Sequence, residues 1–91
     1  MKSIMQDKKE CYFCKTKQGL HLHHIYFGAN RKISDKMGFV VYLCGKHHNL
    51  SNEGVHFDIN KDLWLKRTCQ EKFERLNSRE QFMKLIGKNY L

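Results

Sequence analysis

Four residues with metal-binding side chains stand at the spacing of two knuckles, Cys11-x-x-Cys14 and Cys44-x-x-His47. A two-residue gap lets both side chains of a knuckle face one ion. Two knuckles together complete a tetrahedral shell of thiolate and imidazole, the donors zinc prefers. A shell closed by four protein ligands is structural, because no position is left for water or substrate. His48 and His21 are alternatives to His47 as the fourth ligand. One Cys-x-x-Cys alone would fit a redox pair or scattered buried thiols equally well; two knuckles in one short chain favour zinc. Cys69 falls on the apolar side of a helical repeat and reads as a buried hydrophobe.

The chain has six histidines, and their placement carries more than their number. His23 and His24 are neighbours in an alternating stretch, so on a strand they face opposite sides. His48 directly follows the second knuckle, and His56 lies eight residues further on. Neutral imidazole binds divalent ions and titrates near physiological pH, so each ring could serve as ligand or as base. The plainer alternative is a hairpin whose histidines cover packed strands or join the zinc.

The elements that would position these groups follow from periodicity. Leu20 and Leu22 alternate with His21 and His23, the pattern of a half-buried strand. Phe39-Val40-Val41-Tyr42-Leu43 is β-branched and aromatic and predicts a second strand, antiparallel to the first across a polar loop. Residues 47–53 predict a short helix stopped at Gly54. A longer helix is expected over about 61–76, with Asn60 as its cap and Leu65, Cys69, Phe73 and Leu76 on one face. Another is expected over 78–87, where Ser78 and Gln81 make a capping box and Gly87 a stop. Residues 1–10 are polar and expected to be loosely held, leaving 11–91 as one domain.

The run Cys11-x-x-Cys14, Leu22-His23-His24-Ile25 and Leu43-Cys44-x-x-His47-His48-Asn49 resembles the HNH, or ββα-metal, endonucleases, especially the small HNH-type proteins of bacteriophages and prophages. The resemblance covers about residues 11–56. It implies an α+β fold: a small zinc-stapled ββα-metal hairpin and helix with two additional C-terminal helices. It also implies a metal-dependent hydrolysis of phosphodiester bonds in DNA that leaves 5′-phosphates. Carried over by position, His24 matches the general base, and His23 and His48 match ligands of one catalytic divalent ion. That ion would be Mg²⁺ or Mn²⁺, with Ni²⁺ or Zn²⁺ as further candidates. Asn52, about a turn after His48, and the less well aligned His56 are further ligand candidates. The chain departs from the family at its asparagine: Gly38 and Phe39 stand where that residue usually falls, and Asn30 is the nearest substitute. The family's asparagine orients the base through its backbone, so the departure bears on rate rather than fold.

Bulk composition sets the remaining bounds. Ninety-one residues allow one domain with a small core, for which a metal staple is a reasonable addition. Seventeen Lys and Arg against nine Asp and Glu give a net charge of +8, which draws the chain to polyanions. Arg31, Lys32, Lys36 and Lys46 lie nearest the histidines and are the expected phosphate contacts. No apolar run is long enough to span a membrane, and no signal peptide is legible, so a cytoplasmic setting is expected, in the host cell if a phage encodes the chain. A homodimer would let such a nuclease cut both strands. The alternatives to an enzyme are a catalytically inactive zinc module that binds DNA and a phage protein that binds a host protein.

Overall fold

In a computed structural model describing residues 2–48 and 54–91, the two predicted strands are β1 (Leu20–His24) and β2 (Val40–Cys44). They pair antiparallel as a two-stranded sheet, with Leu22 opposite Tyr42, His23 opposite Val41 and His24 opposite Val40. Alternation therefore sends His21, His23, Val41 and Leu43 to one face and Leu22, His24 and Tyr42 to the other. A slip of one residue would exchange the two sets. Val41 and Leu43 have no exposed surface, so burial fixes the register and with it the side to which each histidine points.

The connection between the strands is not the loop its polarity suggests. A 3₁₀ turn at Gly28–Asn30 leads into helix α1 (Arg31–Met37). Its sequence, RKISDKM, offers only Ile33 and Met37 as an apolar pair, too thin a stripe to read as amphipathic. Tertiary bonds hold it instead. Buried Ser34 donates its hydroxyl to the Tyr26 carbonyl and accepts from the Tyr26 amide at 3.1 Å, and its own carbonyl receives the Phe39 amide at 2.9 Å. Gly38 ends α1 in the left-handed conformation, with φ 76°, where a Cβ would overlap the Lys2 carbonyl.

Residues 2–10, expected to be loose, lie along the outer edge of β2. Ser3 donates to the Val40 carbonyl, the Gln6 side chain accepts from the Tyr42 amide at 2.6 Å, and Met5 is buried in the core. Edge groups of the small sheet are thereby satisfied by side chains rather than by a third strand.

The chain continues through α2 (Gly45–His48), α3 (Ile59–Glu74) and α4 (Arg79–Ile86). The short helix thus starts at Gly45 rather than at residue 47, and its expected continuation lies outside the described residues. Helix α3 begins earlier than its sequence suggests, because Asp58 is the cap: its carboxylate accepts from the Asn60 and Lys61 amides. Leu65, Cys69 and Phe73 are buried as expected, whereas Leu76 lies past the helix end and is 90% exposed. At α4 the Ser78–Gln81 capping box and the left-handed Gly87 are both present. The core joins these helices to the sheet through edge-on aromatic contacts of Tyr26 with Phe39 and Phe82 and of Phe39 with Phe73, with centroids 5.5–5.6 Å apart. No helix among the described residues is long and apolar enough to cross a membrane.

Candidate metal centres

Cys11 and Cys14 form a tight turn that the Tyr12 amide ties to the Tyr42 carbonyl at 2.9 Å, and Cys44 and His47 bracket the junction of β2 with α2. The ligand atoms of these four residues lie within 4.8 Å of one another. Cys14 Sγ is 3.7 Å from Cys44 Sγ, and His47 Nδ1 is 3.2 Å from Cys44 Sγ and 3.7 Å from Cys11 Sγ. Zinc–thiolate bonds of about 2.3 Å at tetrahedral angles put sulfurs about 3.7–3.8 Å apart. The four donors therefore have the separations of a zinc shell and are too far apart for a disulfide. Burial pushes the Cys11 thiol up, but the backbone around Cys14, Cys44 and Phe13 more than offsets this and brings it down to about 6, which favours the thiolate a metal requires. This cluster of three cysteines and one histidine could hold a metal ion such as zinc, with His47 rather than His48 or His21 as its imidazole.

A second group is distinct from the first. His23, His48 and His56 place one ring nitrogen each within 4.8 Å of the others. His23 comes from the buried face of β1 and His48 from the last residue of α2. The segment after Gly54 runs back along α2, its Val55 amide on the His47 carbonyl at 2.9 Å and its His56 amide on the His48 carbonyl at 3.3 Å, and this brings His56 over His48. His48 and His56 meet through their Nε2 atoms at 3.0 Å, while His48 Nδ1 faces His21 Nδ1 at 3.0 Å. If His48 donates to His21 through Nδ1, its Nε2 lone pair is left facing His23 and His56. His21 is thereby a neighbour of this group and not of the thiolates.

The Nε2 atom of His23 is buried and has no hydrogen-bond partner among the described residues. A polar atom left this way costs about 1–3 kcal/mol unless something binds it, which an ion at the centre of the three rings would do. Burial, followed by the neighbouring His48 and His56, drives the His23 imidazole down to about 3. Burial and His56 likewise bring His48 down to about 4. Both rings are neutral at physiological pH, the form that binds metals. The donor chemistry thus fits a divalent ion.

His24 sits on the opposite face of β1, its Nε2 3.2 Å from Asp35 Oδ1 on α1. It still lines the cleft of about 220 Å³ that holds His23, His48 and His56, together with Leu22, Phe27 and Arg31. Phe27 walls this cleft, with the Lys66 ammonium 4.2 Å from its ring centre. A neighbouring cleft of about 460 Å³ is lined by His24, Arg31, Lys32 and Asp35.

The expected site residues are therefore drawn together unequally. Cys11, Cys14, Cys44 and His47 form one cluster, and His23 and His48 join His56 in the other. Of the cations, Arg31 and Lys32 line the clefts beside His24, whereas Lys36 and Lys46 are exposed on α1 and α2 without lining either. Asn52 lies outside the described residues. Asn30 is not at the site: its amide donates to the Ile86 carbonyl at 3.0 Å and fastens the end of α4 to the 3₁₀ turn. Cys69 is buried near Tyr26, away from both clusters, and burial pushes its thiol up to about 12. Sequence reasoning missed Asp35, whose partner is settled only once α1 is known to be a helix. No known protein family matches the chain, and neither does any curated protein or solved structure.

Proposed function

We propose that the chain is a metal-dependent endonuclease of the HNH, or ββα-metal, type that hydrolyses phosphodiester bonds in DNA. The observation that carries this reading is the presence of two separate donor groups with unlike surroundings. One is closed by four ligands; the other has three imidazoles opening on a cleft that a fourth histidine, His24, also lines. An antiparallel hairpin followed directly by a short helix supplies all of these residues except His56 and the first knuckle.

On this reading His23 and His48 hold the catalytic ion, with His56 as a third ligand. The bound ion would polarise a phosphoryl oxygen and stabilise charge on the departing oxygen. Imidazole donors suit Ni²⁺ or Zn²⁺ best, bind Mn²⁺ more weakly, and suit Mg²⁺ least, since it prefers oxygen ligands. His24 accepts a proton from the attacking water as the water oxygen bonds to phosphorus. The bond from phosphorus to the 3′ oxygen breaks, that oxygen takes a proton from solvent, and a 5′-phosphate remains. Arg31 and Lys32 line the cleft beside His24 and on this reading hold the strand by its phosphates, while the net charge of +8 draws it in.

Cleavage of supercoiled plasmid with each of the four ions tests the reading. Wild type is expected to cut with Mn²⁺, Ni²⁺ or Zn²⁺. His24→Ala is expected to lose about two to four powers of ten in rate while keeping its zinc. A wild type that cuts with none of the ions contradicts the proposal.

A second reading, a zinc-held module that binds DNA without cutting it, draws support from Asn30. The residue that would stand in for the family's asparagine is engaged with Ile86 rather than with His24. Salt-sensitive DNA binding with no cleavage would favour that alternative.

A further inference from the structure

General-base chemistry at His24 requires one ring nitrogen to be unprotonated and the ring to be held still while it takes a proton. We propose that Asp35 is the positioning residue for His24, an inference that rests on the nuclease reading above. The Asp35 carboxylate faces His24 Nε2 at 3.2 Å across eleven residues of sequence. The two come together through a helix that its own sequence scarcely signals, and that helix is pinned by Ser34 to the backbone of Tyr26, two residues beyond His24.

The pairing has a chemical consequence. A carboxylate at Nε2 accepts a hydrogen bond only if the ring proton is on that atom, which leaves the lone pair on Nδ1. Among the described residues Nδ1 has no hydrogen-bond partner, so it is the nitrogen open to water. When Nδ1 takes the proton from the attacking water, the Nε2–H stays on Asp35 and the carboxylate faces the new positive charge. The His24 side chain is 14% exposed and that of Asp35 58%. An ion pair this open adds little to stability, so the fold itself gains little from the contact. The cleft shared by His24 and Asp35 also contains Arg31 and Lys32, which places the pair beside the cations expected to hold phosphate. Here, then, a carboxylate on α1 does the orienting that Asn30, tied to α4, does not.

The test uses the full chain with Mn²⁺, measuring kcat and KM for DNA cleavage by wild type, Asp35→Ala and Asp35→Glu, with ¹H–¹⁵N spectra of the His24 ring. Asp35→Ala is expected to lower kcat by about 10- to 100-fold with little change in KM and to lose the protected Nε2–H signal. Asp35→Glu is expected to restore most of both, and zinc content and melting temperature should not move. If wild type cuts and Asp35→Ala cuts equally well, the inference fails and the nuclease reading stands. A wild type that cuts no DNA sinks the nuclease reading, and this inference falls with it.

Discussion

The two donor clusters share the short helix α2, which gives His47 to one and His48 to the other, yet they are built on different principles. The thiolate cluster links the N-terminal turn to the end of β2, with Cys11 and Cys44 buried and all four positions filled by protein atoms. The imidazole cluster has one buried ring, His23, one half-buried, His48, and one exposed, His56, and it opens on a cleft beside His24. A shell closed by protein can only hold parts of the chain together. A shell with an exposed member on an open cleft has room for a further ligand. The difference predicts that damage to the first cluster costs the fold and damage to the second costs chemistry.

The largest effect is therefore expected at the thiolates. Cys44→Ala should release the metal and unfold most of the chain, since structural zinc contributes roughly 10–16 kcal/mol in small metal-dependent domains. Circular dichroism with zinc analysis measures this, and a variant that keeps both metal and fold would erase the proposed division. His23→Ala is expected to abolish binding of a second divalent ion and cleavage with it, while near-native circular dichroism and one zinc per chain persist. Loss of the fold there would mean that the imidazole cluster is structural as well.

A smaller change is expected at His21, which contacts His48 Nδ1 without joining either cluster. His21→Ala should weaken the second ion by about 10- to 100-fold, as is usual when the partner of a ligating histidine is lost. Calorimetric titration with Mn²⁺ reads this directly, and unchanged affinity would leave His21 with no part in metal binding.

A separate predicted effect is one of pH. In the folded chain His23 stays neutral down to about 3 and His48 to about 4, whereas in the unfolded chain both protonate near 6.5. The unfolded state therefore binds more protons below about pH 6.5, and stability falls as pH drops from there through the two folded values. Urea midpoints at about pH 7 and pH 5 should show the decline, with a shallower slope in His23→Asn. Equal slopes in the two proteins would contradict the assigned burial.

Features that depend on close neighbours along the chain are legible in the sequence itself. The two knuckles, the capping box at Ser78, the stop at Gly87 and the alternation of β1 each rest on residues within one or two turns. Features that depend on distant contacts are not. Helix α1 is polar along its length and is held by Ser34 reaching Tyr26, a bond with no signature in periodicity. Asp35 and its bond to His24 are hidden with it. Asn30 falls in the right stretch to be a candidate for the site, yet its partner is Ile86, 56 residues away. His56 aligns poorly with the family pattern but enters the cluster through backbone bonds of the returning chain to α2. The polar N-terminal residues give no hint that Ser3 and Gln6 satisfy the edge of β2.

The most direct test is a crystal structure of the chain with Mn²⁺, using anomalous scattering at the zinc and manganese edges to locate each ion. Two ions are predicted: zinc among Cys11, Cys14, Cys44 and His47, and manganese bound by His23 and His48, with His24 unbonded to either. A single ion drawing on both sets of ligands, or manganese that leaves His23 bare, would contradict the division into a structural and a catalytic centre.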